Sequence, residues 1–176
     1  MGTRFGTSGP SIIVEVWEKA WLALIPEAVE ACRKSAEAAL SEEGFGNIDC
    51  EVSIVLEEDE YLRALNLQWR GIDRPTDVLS FGDPLSIDLG SAPKLLGDIV
   101  ISVGVASRDA EIDRIPIHDH LCHLVVHGIF HLLGYDHETE TDASVMEAKE
   151  AKVLRALGVP DPFASLPRVP ILDSAD

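Results

Sequence analysis

The sequence predicts a layered α/β or α+β domain built on a small mixed sheet of about four strands. Three observations predict it. Short runs that alternate apolar with polar residues take turns with longer runs of helical period. The chain has 176 residues, a length that suits one hydrophobic core. Its composition, 46% hydrophobic and 26% charged, is that of an ordinary globular protein and excludes wholesale disorder, collagen-like sequence and a disulfide miniprotein.

Each element has its own local reason. Residues 1–10, rich in Gly, Ser and Thr, read as a flexible leader. Ser11 to Trp17 alternates and carries β-branched residues, so it reads as a strand. From Pro26 the run EAVEACRKSAEAALSEEG keeps its apolar residues at helical spacing, with Gly44 as the stop. Asp49 to Leu56 alternates again and forms a second strand. Asp59 is placed to cap a helix through Trp69, with Tyr61, Leu62, Leu65 and Trp69 near one face. After the loop Arg70 to Pro75, Asp77 to Phe81 is a third strand, and after a Gly- and Pro-containing connection from Gly82 to Lys94, Leu96 to Val103 is a fourth. A helix covers Gly104 to Asp113 and Pro116 breaks it. His118 to Leu133 is strongly helical and ends at Gly134. Thr141 or Asp142 caps a last helix through Leu157, with Gly158 and Pro160 beyond. The expected organisation is one domain over residues 11–160, followed by a Pro-rich tail at residues 161–176.

Charge and cysteine content bound the function. Fourteen Lys+Arg against thirty-one Asp+Glu give a formal charge of −17. A field of that sign opposes long-range attraction to nucleic acid, so any such role needs a local positive cleft, a metal or a helper protein. Cys32, Cys50 and Cys122 are odd in number and widely spaced, which fits reduced, buried thiols in a cytosolic protein. The first ten residues lack the apolar core of a secretory signal, and the longest nearly apolar stretch, Leu121 to Leu133, is too short for a bilayer span.

The chemistry concentrates between His123 and His137. His127 and His131 are four residues apart, hence one turn apart on the same helical face, and two imidazoles so placed can reach one ion. Gly134 can take the left-handed conformation that ends the helix and turns the chain back, presenting His137 as a third nitrogen. Three imidazoles with an open fourth position describe a catalytic zinc site, one Zn2+ per chain. His123 is a fourth ligand, a hydrogen-bond partner of a ligand, or a packed core residue. Asp136 either orients the His137 ring or caps the turn. His118 and His120 read as solvated residues near a helix start, Asp77 and Asp98 as turn and hydrogen-bonding residues at strand edges, and Met146 as core. The spacing is similar to the HExxHxxGxxH pattern of zinc peptidases, but Gly128 stands where those enzymes carry their general base.

Three segments carry a closer resemblance. His127-Gly128 through His131-Leu132 to Gly134-Tyr135-Asp136-His137, the run LNLQWRGIDRPTDVLSF from Leu65 to Phe81, and LGDIVIS from Leu96 to Ser102 together resemble the YbeY family of bacterial endoribonucleases and rRNA maturation factors. Gly82, the leader and the tail depart from that pattern. The resemblance implies an α+β fold whose small mixed sheet is flanked by helices, with a zincin-like metal-site helix. It implies one zinc on His127, His131 and His137, and catalytic roles for His127 and for Arg70, whose guanidinium can bridge the oxygens of a phosphodiester. A surface salt bridge is the competing role for Arg70. Arg74, Lys94 and Arg108 are further candidates to face phosphates, against the plainer role of solvated side chains. The implied substrate is single-stranded RNA, in maturation of the 16S rRNA 3′ end and in ribosome quality control. The implied partners are the small ribosomal subunit, one of its proteins and an assembly GTPase, in the cytoplasm and with no membrane. A zinc peptidase or amidase, and a ribosome-assembly binding protein with a structural zinc, are the rival readings.

Overall fold

The computed structural model describes residues 9–84 and 94–164. The expected leader, apart from its last two residues, most of the Gly82–Lys94 connection and most of the tail lie outside them. Four strands form one mixed sheet in the order β1-β2-β4-β3: β1 (Ser11–Val16), β2 (Cys50–Glu57), β3 (Val78–Phe81) and β4 (Lys94–Ser102). β1 runs parallel to β2 and β2 to β4, while β3 lies antiparallel on the outer edge of β4, so the predicted α+β class holds.

The two-residue period sorts the sheet's side chains between two cores. Val52, Ile54 and Leu56 of β2 and Ile99 and Ile101 of β4 enter the large core. Val55 and Val100, the residues between them, face the other way and join Leu62 and Leu79 in a smaller one. The large core is covered by α2 (Ala28–Glu42) and α5 (Ile117–Leu132), backed by α6 (Glu140–Ala156); the small core is covered by α3 (Asp59–Arg70). α2 brings small residues to its partner (Ala28, Ala31, Cys32, Ala36 and Ala39 are buried), which permits close approach to α5. α5 is the central element: it packs against α2, α6, β3, β4 and α4 (Val103–Asp113), and its mean character is apolar enough for burial on most sides.

Several local expectations change. A short helix, α1 (Ala20–Leu24), precedes α2 and buries Trp21; its five residues are too few to show a period. α3 buries Leu62 and Asn66 but leaves Tyr61 and Trp69 exposed, Tyr61 edge-on to Trp17 and Trp69 tilted against Phe81. Asp59 begins α3 without capping it. Its carboxylate instead reaches the start of α4, accepting from the Ser102 hydroxyl, from the Val105 N–H at 3.0 Å and from Arg108 at 2.8 Å. The cap of α6 is Thr139, whose hydroxyl oxygen accepts from the Asp142 N–H, two residues before the earlier of the expected caps. Cys32, Cys50 and Cys122 are buried free thiols, and burial pushes Cys32 up to about 12. No helix among the described residues is long and apolar enough to cross a membrane.

Candidate metal centre and cleft

Of the five histidines on α5, four, His120, His123, His127 and His131, follow one another at intervals of three, four and four. Such spacing draws a single stripe along a helix, while Leu121, Val125, Ile129 and Leu132 turn to the core. Gly128 makes room on the core side: a Cβ there would stand 2.9 Å from Ile99 Cδ1, because the Ile99 side chain of β4 packs directly against it. The position taken by a general base in zinc peptidases therefore faces the sheet.

Beyond α5 the chain reverses tightly. Gly134 adopts φ +98°, the Tyr135 N–H bonds the Phe130 carbonyl at 3.0 Å, and the Tyr135 ring packs against Phe130. The Tyr135 hydroxyl donates to Glu43 at 2.8 Å, pinning the turn to the end of α2. His137 is thereby brought back beside the stripe, with ring centroids 5.6 Å from His127 and 5.1 Å from His131. One nitrogen from each of the three rings lies within 4.8 Å of the others.

The hydrogen bonds around the rings fix which nitrogens carry protons. His127 Nδ1 lies 2.7 Å from Glu150 Oε1, and His131 Nδ1 lies 2.9 Å from the Tyr135 carbonyl. Burial pushes the Glu150 carboxyl up, but hydrogen bonds from His123 and His127 outweigh it and hold the group down at about 2. Both acceptors are thus without a proton to give, each Nδ1 is an N–H, and each Nε2 presents a lone pair. Those two Nε2 atoms face each other at 3.0 Å. A proton between them is disfavoured near neutrality, because burial and then the neighbouring His127 hold His131 at about 4. A cation satisfies both lone pairs. Ligand atoms at about 2.1 Å in a tetrahedral zinc site stand about 3.4 Å apart. The residues present therefore fit a metal ion, and His127, His131 and His137 form a group able to hold it.

Glu150, on α6, was not among the residues singled out from sequence. It is 1% exposed, and its second oxygen lies 2.8 Å from His123 Nε2, so one carboxylate serves two imidazoles. The signal was present: Met146, Glu150 and Leu154 recur at four-residue intervals on the buried face of α6, and a carboxylate in that series requires a partner. Within the stripe, His123 is accordingly the second ring held by the Glu150 carboxylate. Asp136 is exposed and accepts from the Glu138 N–H at 3.2 Å, the turn-capping arrangement. Met146 is core. His120 departs from expectation: it is buried at 7% exposure, because α4 and the loop before β3 close over the start of α5.

The stripe forms one wall of a cleft of about 390 Å³. The opposite wall comes from the end of α3 and the segment leading into β3, with Arg70, Thr76, Asp77, Val78 and Ser80. Arg70 is the last residue of α3. Gly71 ends that helix at φ +70°, and buried Asn66 donates to the Arg74 carbonyl at 2.8 Å, which shapes the loop that follows. Arg63, two turns earlier on the same helix, is engaged by Asp73 at 2.7 Å, whereas Arg70 has no ion-pair partner among the described residues. Arg74 and Lys94 lie outside the cleft lining, and Arg108 is paired with Asp59. Asp77 Oδ1 accepts from the Val78 N–H at 2.8 Å, as a strand-edge residue would, and its side chain also reaches the cleft.

A family model described as Endoribonuclease YbeY matches residues 16–158. A curated protein named Endoribonuclease YbeY from Rhodopseudomonas palustris (strain BisA53) is 40% identical over 159 residues, covering 89% of this chain and 90% of that protein. Its namesake from strain BisB5 is 44% identical over 142 residues, covering 77% and 73%. The Bradyrhizobium diazoefficiens protein of that name is 40% identical over 164 residues, covering 89% and 84%. The solution structure of TM1509 from Thermotoga maritima is similar in fold, with a TM-score of 0.55 at 23% identity, covering 90% of this chain and 99% of that one.

Proposed function

The chain belongs to the Endoribonuclease YbeY family, and from that premise we propose that it is a zinc-dependent endoribonuclease specific for single-stranded RNA. It acts in rRNA maturation, at the 3′ end of 16S rRNA, and in ribosome quality control. The observation that carries the reading is the pair of Nε2 lone pairs of His127 and His131, facing each other at 3.0 Å in a cleft whose other wall carries Arg70.

When bound, a zinc ion supplies Lewis acidity toward a phosphoryl oxygen and acidifies a water molecule. This chain's side chains do the rest. Glu150 keeps the His127 ring in one tautomer and one orientation, and the Tyr135 carbonyl does the same for His131. Arg70, free of an acidic partner among the described residues, offers two parallel N–H donors to the non-bridging oxygens of a phosphodiester, whose negative charge grows in the transition state. The Ser80 and Thr76 hydroxyls line the same wall; each already donates within the protein, to the Gly128 carbonyl and to Asp77, and can accept from a ribose hydroxyl.

The net charge of −17 leaves little long-range attraction for RNA. Docking on the small ribosomal subunit, through one of its proteins and an assembly GTPase, supplies affinity that the cleft does not, and places the protein in the cytoplasm. Gly128 argues against peptidase action, since its position faces β4, and both Glu150 oxygens are already engaged. The test is cleavage of one RNA sequence presented single-stranded and as a duplex, by protein of measured zinc content. Cleavage of the single strand alone supports the reading; cleavage of neither form by zinc-loaded protein overturns it.

A further inference from the structure

Of the buried polar side chains among the described residues, His120 is the least satisfied. Neither of its ring nitrogens has a hydrogen-bond partner, although the residue is only 7% exposed. A buried polar group left unpaired costs about 1–3 kcal/mol, so the ring asks for a ligand. Two carboxylates face it from two other elements: Asp77, just before β3, and Asp109 on α4. One oxygen of each and one ring nitrogen of His120 all lie within 4.8 Å of one another.

The three groups are held apart from ordinary pairing. Asp77 Oδ1 is fixed by the Val78 N–H at 2.8 Å and the Thr76 hydroxyl at 3.1 Å, which leaves its other oxygen without a partner among the described residues. Asp109 makes neither a hydrogen bond nor an ion pair among those residues. Burial, and then the nearby Asp77, hold the Asp109 carboxyl above the usual carboxylate range, while burial and then His123 hold His120 below the usual imidazole range. Two crowded carboxylates and a neutral ring with a free lone pair lack one thing, positive charge at their centre.

We propose that Asp77, Asp109 and His120 form a second divalent-cation site, and that its cation binds a phosphate of the RNA neighbouring the one that is cut. Two carboxylates and one imidazole suit a cation that accepts both oxygen and nitrogen, such as Mn2+. Asp77 and His120 line the same cleft as the histidine trio. His120 and His127 are seven residues apart on one helix, about 10 Å along its axis at 1.5 Å per residue. Paired cations that share one reacting phosphate stand about 3.5–4 Å apart. The second cation is therefore too far along α5 to share that phosphate, and is placed for another on a strand lying along the stripe. It would also supply local positive charge in a cleft where Arg70 is the single Lys or Arg among the described lining residues. The role rests on the proposed RNA-cleaving activity; the site itself does not.

The test titrates full-length, zinc-saturated protein with Mn2+ alone, following the ion by electron paramagnetic resonance and measuring zinc in the same samples. Wild type is expected to bind one further Mn2+ per chain, with affinity at least about tenfold weaker in Asp109→Asn and in His120→Gln and with zinc content unchanged. Asp109→Asn keeps the side chain's shape on a half-buried helix face, so it guards against a folding failure of His120→Gln. No Mn2+ uptake by wild type, or uptake unaltered by either substitution, overturns the proposal. Mn2+ uptake that disappears with Asp109→Asn in a protein that cleaves no RNA would keep the site and remove the activity it was tied to.

Discussion

Glu150 Oε1 lies 2.7 Å from His127 Nδ1, although the two residues are 23 apart in sequence and belong to different helices. This contact fixes how the His127 ring faces the cleft. The carboxylate can only accept, so the ring's proton stays on Nδ1 and its lone pair points into the cleft. The other carboxylate oxygen holds His123 in the same way at 2.8 Å.

Glu150→Gln replaces one of those two acceptors with an amide donor, which one of the two rings cannot satisfy without changing tautomer. Zinc affinity is expected to fall about 10–100-fold, read by competition with a chromophoric chelator. RNA cleavage should fall with it and recover in excess zinc.

Arg70→Ala should keep the fold and the zinc, since Arg70 is exposed and pairs with no acidic residue among those described. Cleavage is expected to drop about 10²–10³-fold, mostly in kcat, in steady-state assays on a short single-stranded RNA. Arg70→Lys should recover only part of it, because a point charge cannot form the two parallel bonds.

Gly128→Ala tests why α5 carries a glycine in mid-helix. Helix propensity alone favours Ala by about 1 kcal/mol, but the added Cβ would meet the Ile99 side chain at 2.9–3.2 Å. Overpacking of a tight core costs about 1–3 kcal/mol. The substitution is therefore expected to lower Tm in thermal denaturation, where an unconstrained helix would gain.

Asp59 ties stability to pH. Its burial acts upward on the carboxyl, but bonds from Ser102, Arg108 and the Val105 N–H prevail and hold it below the usual carboxylate range. A depressed carboxyl contributes stability that is present above its unfolded pKa and is lost as pH falls through the folded value. Urea unfolding of wild type and Asp59→Asn should therefore converge as pH is lowered below about 4, with wild type the more stable at pH 6 by about 1 kcal/mol, the worth of a helix cap.

What the sequence made legible is what depends on neighbours along the chain. Four strands followed from a period of two, and His127, His131 and His137 from a turn of helix and a glycine. What stayed hidden depends on elements meeting in space. Glu150 reaches the site from α6, and Asp59 caps α4 across a gap of more than forty residues instead of its own helix. His120 looked solvated from its place near a helix start, yet α4 and the segment before β3 bury it. The strand order β1-β2-β4-β3 likewise has no local signature.

If His127, His131 and His137 hold a zinc ion on which RNA cleavage depends, metal and activity are lost together. Zinc per chain and cleavage of a single-stranded RNA, determined on the same preparations of wild type and His131→Ala, check this. Wild type is expected to hold one zinc tightly and to cleave, and a folded His131→Ala protein to do neither. Full cleavage by zinc-free His131→Ala would contradict it.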